Sequence, residues 1–258
     1  MPPAGESPDE QALRTPAPLR LEETALFLDL DGTLAPIAPR PEDVRPSAGR
    51  TRLLAALSRA LNGRIAVVSG RTLADVDRIV DGAIAAAAGV HGLERRMADG
   101  RIWRAKPSSA MAEARAAFTP LERAWPGVRL EDKGLSVAVH YRAAPDALPE
   151  VRKTAESIAR ADGLVLQWGD MVAELKTPGA DKGDALRAFM GEPEFAGARP
   201  VFVGDDLTDE HGFAAAAEAG GFGVLVGPAR ASAAKARLPD VDAVYDWLSA
   251  ALTAGGRP

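Results

Sequence analysis

Short apolar runs closed by Gly or Asp alternate, along most of the chain, with stretches whose apolar residues recur every three or four positions. The runs predict strands at 25–28, 65–68, 83–88, 201–203 and 222–226, each short and apolar throughout, as strands covered on both faces of a parallel sheet are. Between the first two, Leu53, Leu54, Leu57 and Leu61 share one face of a helix over 47–61, with Ser47 placed to cap its start and Asn62-Gly63 to stop it. A helix is expected over 208–219, where Asp209 and Glu210 suit the positive end of the helix dipole and Gly220-Gly221 ends the run. Val241, Val244, Leu248 and Leu252 mark a last helix. Strands and helices in alternation are the signature of an α/β fold.

The stretch 108–177 breaks that rhythm. A helix over 109–124 ends at Trp125-Pro126-Gly127, and two strand-like runs, 128–131 and 135–141, adjoin across Lys133-Gly134. A second helix carries Leu148, Val151, Ala155 and Ile158 on one face, and two further runs, 164–167 and 171–175, meet at Gly169-Asp170. That order predicts an antiparallel sheet with two helices, set between the halves of the parallel pattern. The expected architecture is a Rossmann-like parallel-sheet core, residues 21–107 and 178–258, with an inserted α+β cap domain, residues 108–177, after a Pro-rich disordered tail over 1–20.

Composition narrows the function classes. The net charge of −5 argues against a general nucleic-acid binder, which carries a basic excess. There is no cysteine, so disulfides and thiolate chemistry are excluded, and a reducing cytoplasm fits. No apolar run is long enough to span a membrane, and the first eighteen residues lack the apolar segment of a secretory signal. The expectation is a cytoplasmic monomer whose partner is a small molecule.

The chemistry gathers at predicted strand ends and helix starts. Asp29-Leu30-Asp31-Gly32-Thr33-Leu34 follows the first strand, where an open α/β sheet builds its crevice. Two carboxylates there need partners or solvent. They suit one group that attacks and one that moves protons, with a cation between them. Taken alone, Asp-x-Asp-Gly is equally a polar turn. A calcium loop of the EF-hand type is ruled out, because Thr33 and Leu34 stand where it needs an acid or amide and then Gly. Ser69-Gly70-Arg71 follows the second strand and offers a hydroxyl and exposed amides to an anion. Lys182 opens a helix through Phe189, where its charge opposes the helix dipole and calls for a counter-anion. Gly204-Asp205-Asp206-Leu207-Thr208-Asp209-Glu210 holds four acids, of which Asp205 and Asp206 come too early to be helix-start residues.

Gathered at one edge, Asp29, Asp31 and Asp205 repel any anionic substrate. A divalent cation, Lys182, Ser69 and helix N-termini reverse that and attract a phosphoryl group. Oxygen-rich ligation suits Mg2+, and with no Cys and only three scattered His, zinc is not expected.

In this order the four segments resemble the motifs of the haloacid dehalogenase superfamily of phosphatases, with the cap between the second and third motifs as in its sugar-phosphatase branch. From about residue 24 to 248 the chain is similar to the trehalose-6-phosphate phosphatase family. The similarity rests on Val90-His91-Gly92-Leu93-Glu94, on Glu131-Asp132-Lys133-Gly134 leading to His140-Tyr141-Arg142, on Ala173-Glu174-Leu175-Lys176, and on the 204–210 segment. One position departs: Asp170 stands after Gly169 where the family has Lys, on a turn where Asp is at home.

The resemblance implies Mg-dependent hydrolysis of trehalose 6-phosphate. Asp29 attacks phosphorus, and Asp31 protonates the departing sugar and then activates water. Magnesium is held by the Asp29 and Asp205 side chains and the Asp31 carbonyl, with Asp206 and Asp209 around it. Ser69, Gly70, Arg71 and Lys182 hold the phosphoryl oxygens; Glu131, Lys133, His140, Arg142 and Glu174 meet the disaccharide. The competing readings are a phosphatase of another sugar phosphate, such as sucrose phosphate or a mannosyl-phosphoglycerate, and a non-catalytic sugar-phosphate sensor. Without the resemblance, His140-Tyr141-Arg142 reads as plain strand alternation, and Glu131, Lys133 and Glu174 as a solvated salt-bridge network worth little.

Overall fold

A computed structural model of the chain describes residues 13–255. The core opens with β1 (Thr24–Leu28), α1 (Ala48–Ala60), β2 (Ile65–Val68), α2 (Leu73–Val80), β3 (Ala86–Gly89), β4 (Glu94–Arg96) and β5 (Ile102–Arg104). The cap follows as α3 (Met111–Ala124), β6 (Arg129–Asp132), β7 (Ser136–His140), α4 (Leu148–Asp162), β8 (Val165–Gly169) and β9 (Val172–Lys176). The chain then returns through α5 (Lys182–Met190), β10 (Arg199–Gly204), α6 (Asp209–Glu218), β11 (Phe222–Val226), β12 (Ala236–Leu238) and α7 (Val241–Gly255).

The core sheet has eight strands in the order β12-β11-β10-β1-β2-β3-β4-β5. The strands from β12 to β3 are parallel, and β4 and β5 add antiparallel to the far edge. β1 lies between β10 and β2, with Leu28 level with Val203 on one side and Val67 on the other. Asp29, Ser69 and Asp205 follow these three strands closely, so they leave the sheet at one edge.

Alternation along β1 explains its double burial. Leu26 and Leu28 join one apolar layer with Leu54 and Leu57 of α1, while Phe27 joins the opposite layer with Phe189 and Phe195. The Phe27 ring lies 6.1 Å from Phe189 and 5.6 Å from Phe195. Each such burial stabilises by about 1.5–3 kcal/mol. Together they fix α5, and with it Lys182, against the strand that delivers Asp29.

The cap sheet runs β6-β7-β9-β8, antiparallel throughout. Val137, Val139, Ala173 and Leu175 turn into a core shared with Phe118 of α3 and Val151 of α4. The opposite face carries one cross-strand row, Glu131–Ala138–Glu174–Gln167, because those residues pair in register. The links between core and cap are tied where Ser108 N–H donates to Thr177 Oγ1 at 3.1 Å.

The expected elements are all present with shifted ends. Residues 1–12 of the expected tail lie outside the described residues. Residues 13–20 are not a tail. Arg14 bridges to Ala236, Pro16 and Leu19 are buried, and Trp247 Nε1 donates to Ala17 O at 2.9 Å. Ser47 stands at the start of α1 but makes no side-chain cap hydrogen bond.

Candidate active site

Between the carboxyl edge of the core sheet and the polar row of the cap lies a cleft of about 270 Å³. Asp29, Asp31, Ser69, Gly70, Arg71, Lys182, Asp205 and Asp206 line it from the core, and Glu131, Lys133, His140, Arg142 and Glu174 from the cap. Every site residue expected from the sequence is thus brought to one place.

On the core side, Lys182 Nζ donates to Asp29 Oδ1 at 2.8 Å and to Asp209 Oδ1 at 2.6 Å, with all three side chains buried. Asp209 Oδ2 accepts the backbone N–H of Asp205 and of Asp206, each at 3.0 Å. Asp209 stands in the first turn of α6 and beside the metal-competent carboxylates as expected, and it also braces Lys182 and shapes the 205–206 turn. Burial raises the Asp29 pKa well above the usual carboxylate range, with Lys182 opposing and Asp209 and Asp205 adding to it. Burial, then Asp209, also push the Asp205 pKa up to about 7 against the pull of Lys182. Burial alone would lower the pKa of Lys182, but Asp209 and Asp29 outweigh it and raise it.

Oxygens of Asp29, Asp205 and Asp209 lie within 4.8 Å of one another. One oxygen of Asp205, Oδ1, is buried without a hydrogen-bond partner. The Asp205 carboxylate lies where Gly32, at φ 81°, carries no side chain; a Cβ there would stand 2.1 Å from Asp205 Oδ2. Three carboxylates against one ammonium, with an unpartnered buried oxygen, are a donor set that fits a hard divalent cation. Of the expected metal residues Asp29, Asp31, Asp205 and Asp206, the carboxylate cluster contains Asp29 and Asp205; the Asp31 side chain is not part of it. Asp206 turns its Oδ1 to its neighbour Leu207 N–H at 2.7 Å, and Asp209 takes its place in the cluster.

Arg71 departs further from expectation. Its guanidinium forms a fork on Asp31, Nε to Oδ2 at 2.6 Å and Nη2 to Oδ1 at 2.8 Å, and Nη1 donates to Pro41 O at 2.8 Å. Both oxygens of the expected acid–base group are therefore held. Ser69 Oγ accepts Arg71 N–H at 3.2 Å, which folds the loop back on itself.

On the cap side, Glu174 is 5% exposed and fully partnered. Lys133 Nζ donates to Oε1 at 3.1 Å, the Ser136 hydroxyl donates to the same oxygen, and His91 Nε2 meets Oε2 at 3.0 Å. Burial works against the carboxylate, but Lys133 and His91 outweigh it, and its pKa stands well below the usual range. Burial also opposes the Glu131 charge; its hydrogen bond from His140 at 2.8 Å and nearby Lys133 overcome that and lower its pKa. The solvated-network reading of these residues does not hold, since the Lys133 and Glu174 side chains are only 8% and 6% exposed. Arg142 stays at the rim, where Nη2 pairs with Asp170 Oδ2 at 2.8 Å. The departing position thus has a partner of its own.

His91 and Gln167 also line the cleft, beyond the residues expected from the sequence. Gln167 is placed there by strand register with Glu174. His91 lies in the 90–94 segment, and only the folded turn carries it to the cap.

Residues 27–242 match the family described as trehalose-phosphatase. The "Probable trehalose-phosphate phosphatase" of Sinorhizobium fredii is 39% identical over 233 residues, which cover 89% of this chain and 88% of that protein. The trehalose-6-phosphate phosphatase of Escherichia coli is 39% identical over 232 residues, 89% of this chain and 87% of the other. A crystal structure of a trehalose-6-phosphate phosphatase related protein superposes with a TM-score of 0.74 at 28% identity, covering 89% of this chain and 97% of that one.

Proposed function

From the premise that the chain belongs to the trehalose-phosphatase family, we propose that it hydrolyses trehalose 6-phosphate to trehalose and phosphate, with Asp29 as nucleophile. The observation that carries the reading is the buried Asp29–Lys182–Asp209 triad beside the unpartnered oxygen of Asp205.

Asp29 attacks phosphorus through a carboxylate oxygen, the bond from phosphorus to the sugar oxygen breaks, and an aspartyl-phosphate forms on Asp29. Asp31, once released by Arg71 and protonated from solvent, gives that proton to the departing sugar oxygen. It then takes a proton from the water that cleaves the aspartyl-phosphate, which frees phosphate and restores the Asp29 carboxylate. Asp29, Asp205 and Asp209 would hold a Mg2+ ion, which would supply charge neutralisation at the phosphoryl oxygens. Lys182 supplies a second positive charge and holds Asp29 in line.

The Arg71 fork gives Asp31 a defined route into action. An incoming phosphoryl dianion competes with Asp31 for the guanidinium, and Arg71 moving to the phosphoryl oxygens frees Asp31 to carry a proton. The Ser69 hydroxyl and the amide of Gly70 complete the anion cradle. Glu131, Lys133, His140 and Glu174 offer donors and acceptors in the pattern that sugar hydroxyls use. The buried acid–ammonium pair of the cap is what favours trehalose 6-phosphate over a small phosphate ester.

Phosphate release from purified protein, measured on trehalose 6-phosphate, sucrose 6-phosphate, a mannosyl-phosphoglycerate and glucose 6-phosphate with and without Mg2+, tests the reading. The highest kcat/KM is expected for trehalose 6-phosphate with Mg2+. Preference for another sugar phosphate overturns the substrate, and no release from any of them overturns the enzyme.

A further inference from the structure

Three consecutive residues in the turn after β3 stand in the left-handed region: Val90 at φ 45°, His91 at φ 57° and Gly92 at φ 102°. L-residues other than Asn, Asp and His seldom take that conformation, and a β-branched valine there is strained. Such strain persists only where the surroundings hold it. Here Val90 N–H donates to Arg71 O at 2.8 Å and His91 N–H to Ser69 O at 2.9 Å, so the turn is stitched to the anion loop.

The strained turn delivers one imidazole. His91 is 7% exposed and lies against Gly70, where a Cβ would stand 2.5 Å from its Cε1. Facing a carboxylate, Nε2 carries the proton and donates it to Glu174 Oε2 at 3.0 Å, while Nδ1 is buried without a partner. The ring makes no hydrogen bond to Asp29, Asp31, Lys182 or Asp205, so it has no direct part in the phosphoryl chemistry proposed above.

Glu174 is tied to the core twice. His91 holds Oε2 directly. Lys133 holds Oε1 at 3.1 Å while its own Nζ donates to Gly70 O at 2.9 Å. Both ties end on the loop of Ser69, Gly70 and Arg71.

We propose that His91 is a positioning residue that latches the cap onto the phosphoryl-binding loop by holding Glu174, so that the sugar-reading carboxylate takes its place only when the cap is down. The proposal rests on the reading of Glu174 as a sugar contact. In the latched state, sugar recognition and phosphoryl alignment share one body, and a substrate must satisfy both at once.

Because the chain has no cysteine, labels at Arg52→Cys on α1 of the core and Lys153→Cys on α4 of the cap report the distance across the seam by double electron–electron resonance. Both positions are exposed and neither lines the cleft. In the His91→Ala background the distance distribution is expected to lengthen and broaden. An unchanged distribution overturns the latch, whatever the substrate is.

Kinetics on the sugar phosphate supply the second readout. His91→Ala should lower kcat/KM about tenfold, and His91→Gln, which keeps an N–H donor, should recover most of it. The His91→Ala/Glu174→Ala double variant should be no worse than Glu174→Ala alone, because His91 acts through that carboxylate. Multiplicative losses, or no rescue by Gln, overturn the proposal. If His91→Ala fails to fold, the distance measurement is made on His91→Leu and the rescue is read between Leu and Gln. Wild type that hydrolyses no sugar phosphate contradicts the functional reading instead, and the label distances still decide the latch.

Discussion

At the sheet edge, one ammonium, Lys182, faces the carboxylates of Asp29, Asp205 and Asp209, and two of those carboxyls have pKa values pushed up by burial. Across the cleft, Glu174 is met by Lys133, His91 and Ser136, and its pKa is pulled down although it is as buried as Asp29. Both clusters set carboxylates against a buried ammonium. They differ in balance. A buried anion without enough counter-charge holds on to a proton, and a buried anion with full partners stays ionised. The core cluster is left short of positive charge, which a cation and the chemistry of a phosphoryl group complete. The cap cluster is already satisfied, and a neutral polyhydroxyl ligand can exchange hydrogen bonds with it without adding charge.

The comparison breaks most sharply at Asp29. Asp29→Asn should lose on the order of 10⁴-fold in turnover, since an amide cannot accept the phosphoryl group. Because the variant relieves an excess of negative charge, its metal-free thermal midpoint should equal or exceed that of wild type. A variant with turnover within tenfold of wild type, by phosphate release, removes Asp29 as nucleophile.

Metal removal is the next largest effect. Exhaustive chelation should abolish phosphate release, and Mg2+ should restore it. Saturating Mg2+, at about 100 times its Kd, should stabilise the fold by about 2.7 kcal/mol, a rise of roughly 5–10 °C in Tm. Asp205→Asn should erase that rise, whereas Glu174→Gln should leave it intact. Equal Mg2+-dependent shifts in wild type and Asp205→Asn, by calorimetry, place the cation elsewhere.

Much of this division was legible in the sequence. Asp29, Ser69, Lys182 and Asp205 each stand at the end of an apolar run or the start of a helix, and strand order alone brings them to one edge. The cap residues were found through family motifs, since Glu131 and Glu174 on short strands carry no signal of their own. What escaped depends on tertiary contacts. β4 and β5 are rich in Arg and have no apolar alternation, so nothing marked them as strands. Residues 13–20 are ordered by contacts more than two hundred positions away, at Ala236 and Trp247. The Arg71 fork on Asp31, the Asp209 brace on Lys182 and the contact of His91 with the cap are all pairings between distant segments, which local patterning does not encode.

The smallest effect concerns acid. A depressed carboxyl pKa contributes stability that is fully present above the ordinary glutamate pKa and is lost as pH falls towards the lowered folded value. Wild type should therefore exceed Glu174→Gln by about 1–3 kcal/mol near neutrality, with the gap closing in strong acid. Denaturant melts across pH check this, and a gap that widens on acidification contradicts the balanced-cluster account.

The division of labour is tested most directly by the selectivity of Glu174→Ala, measured as the ratio of kcat/KM for trehalose 6-phosphate to kcat/KM for a small aryl phosphate. Losing a charged hydrogen-bond partner of the sugar should lower that ratio about ten- to hundredfold relative to wild type, with the aryl phosphate falling far less. Equal losses on both substrates would show that the cap cluster serves the fold or the chemistry and does not read the sugar.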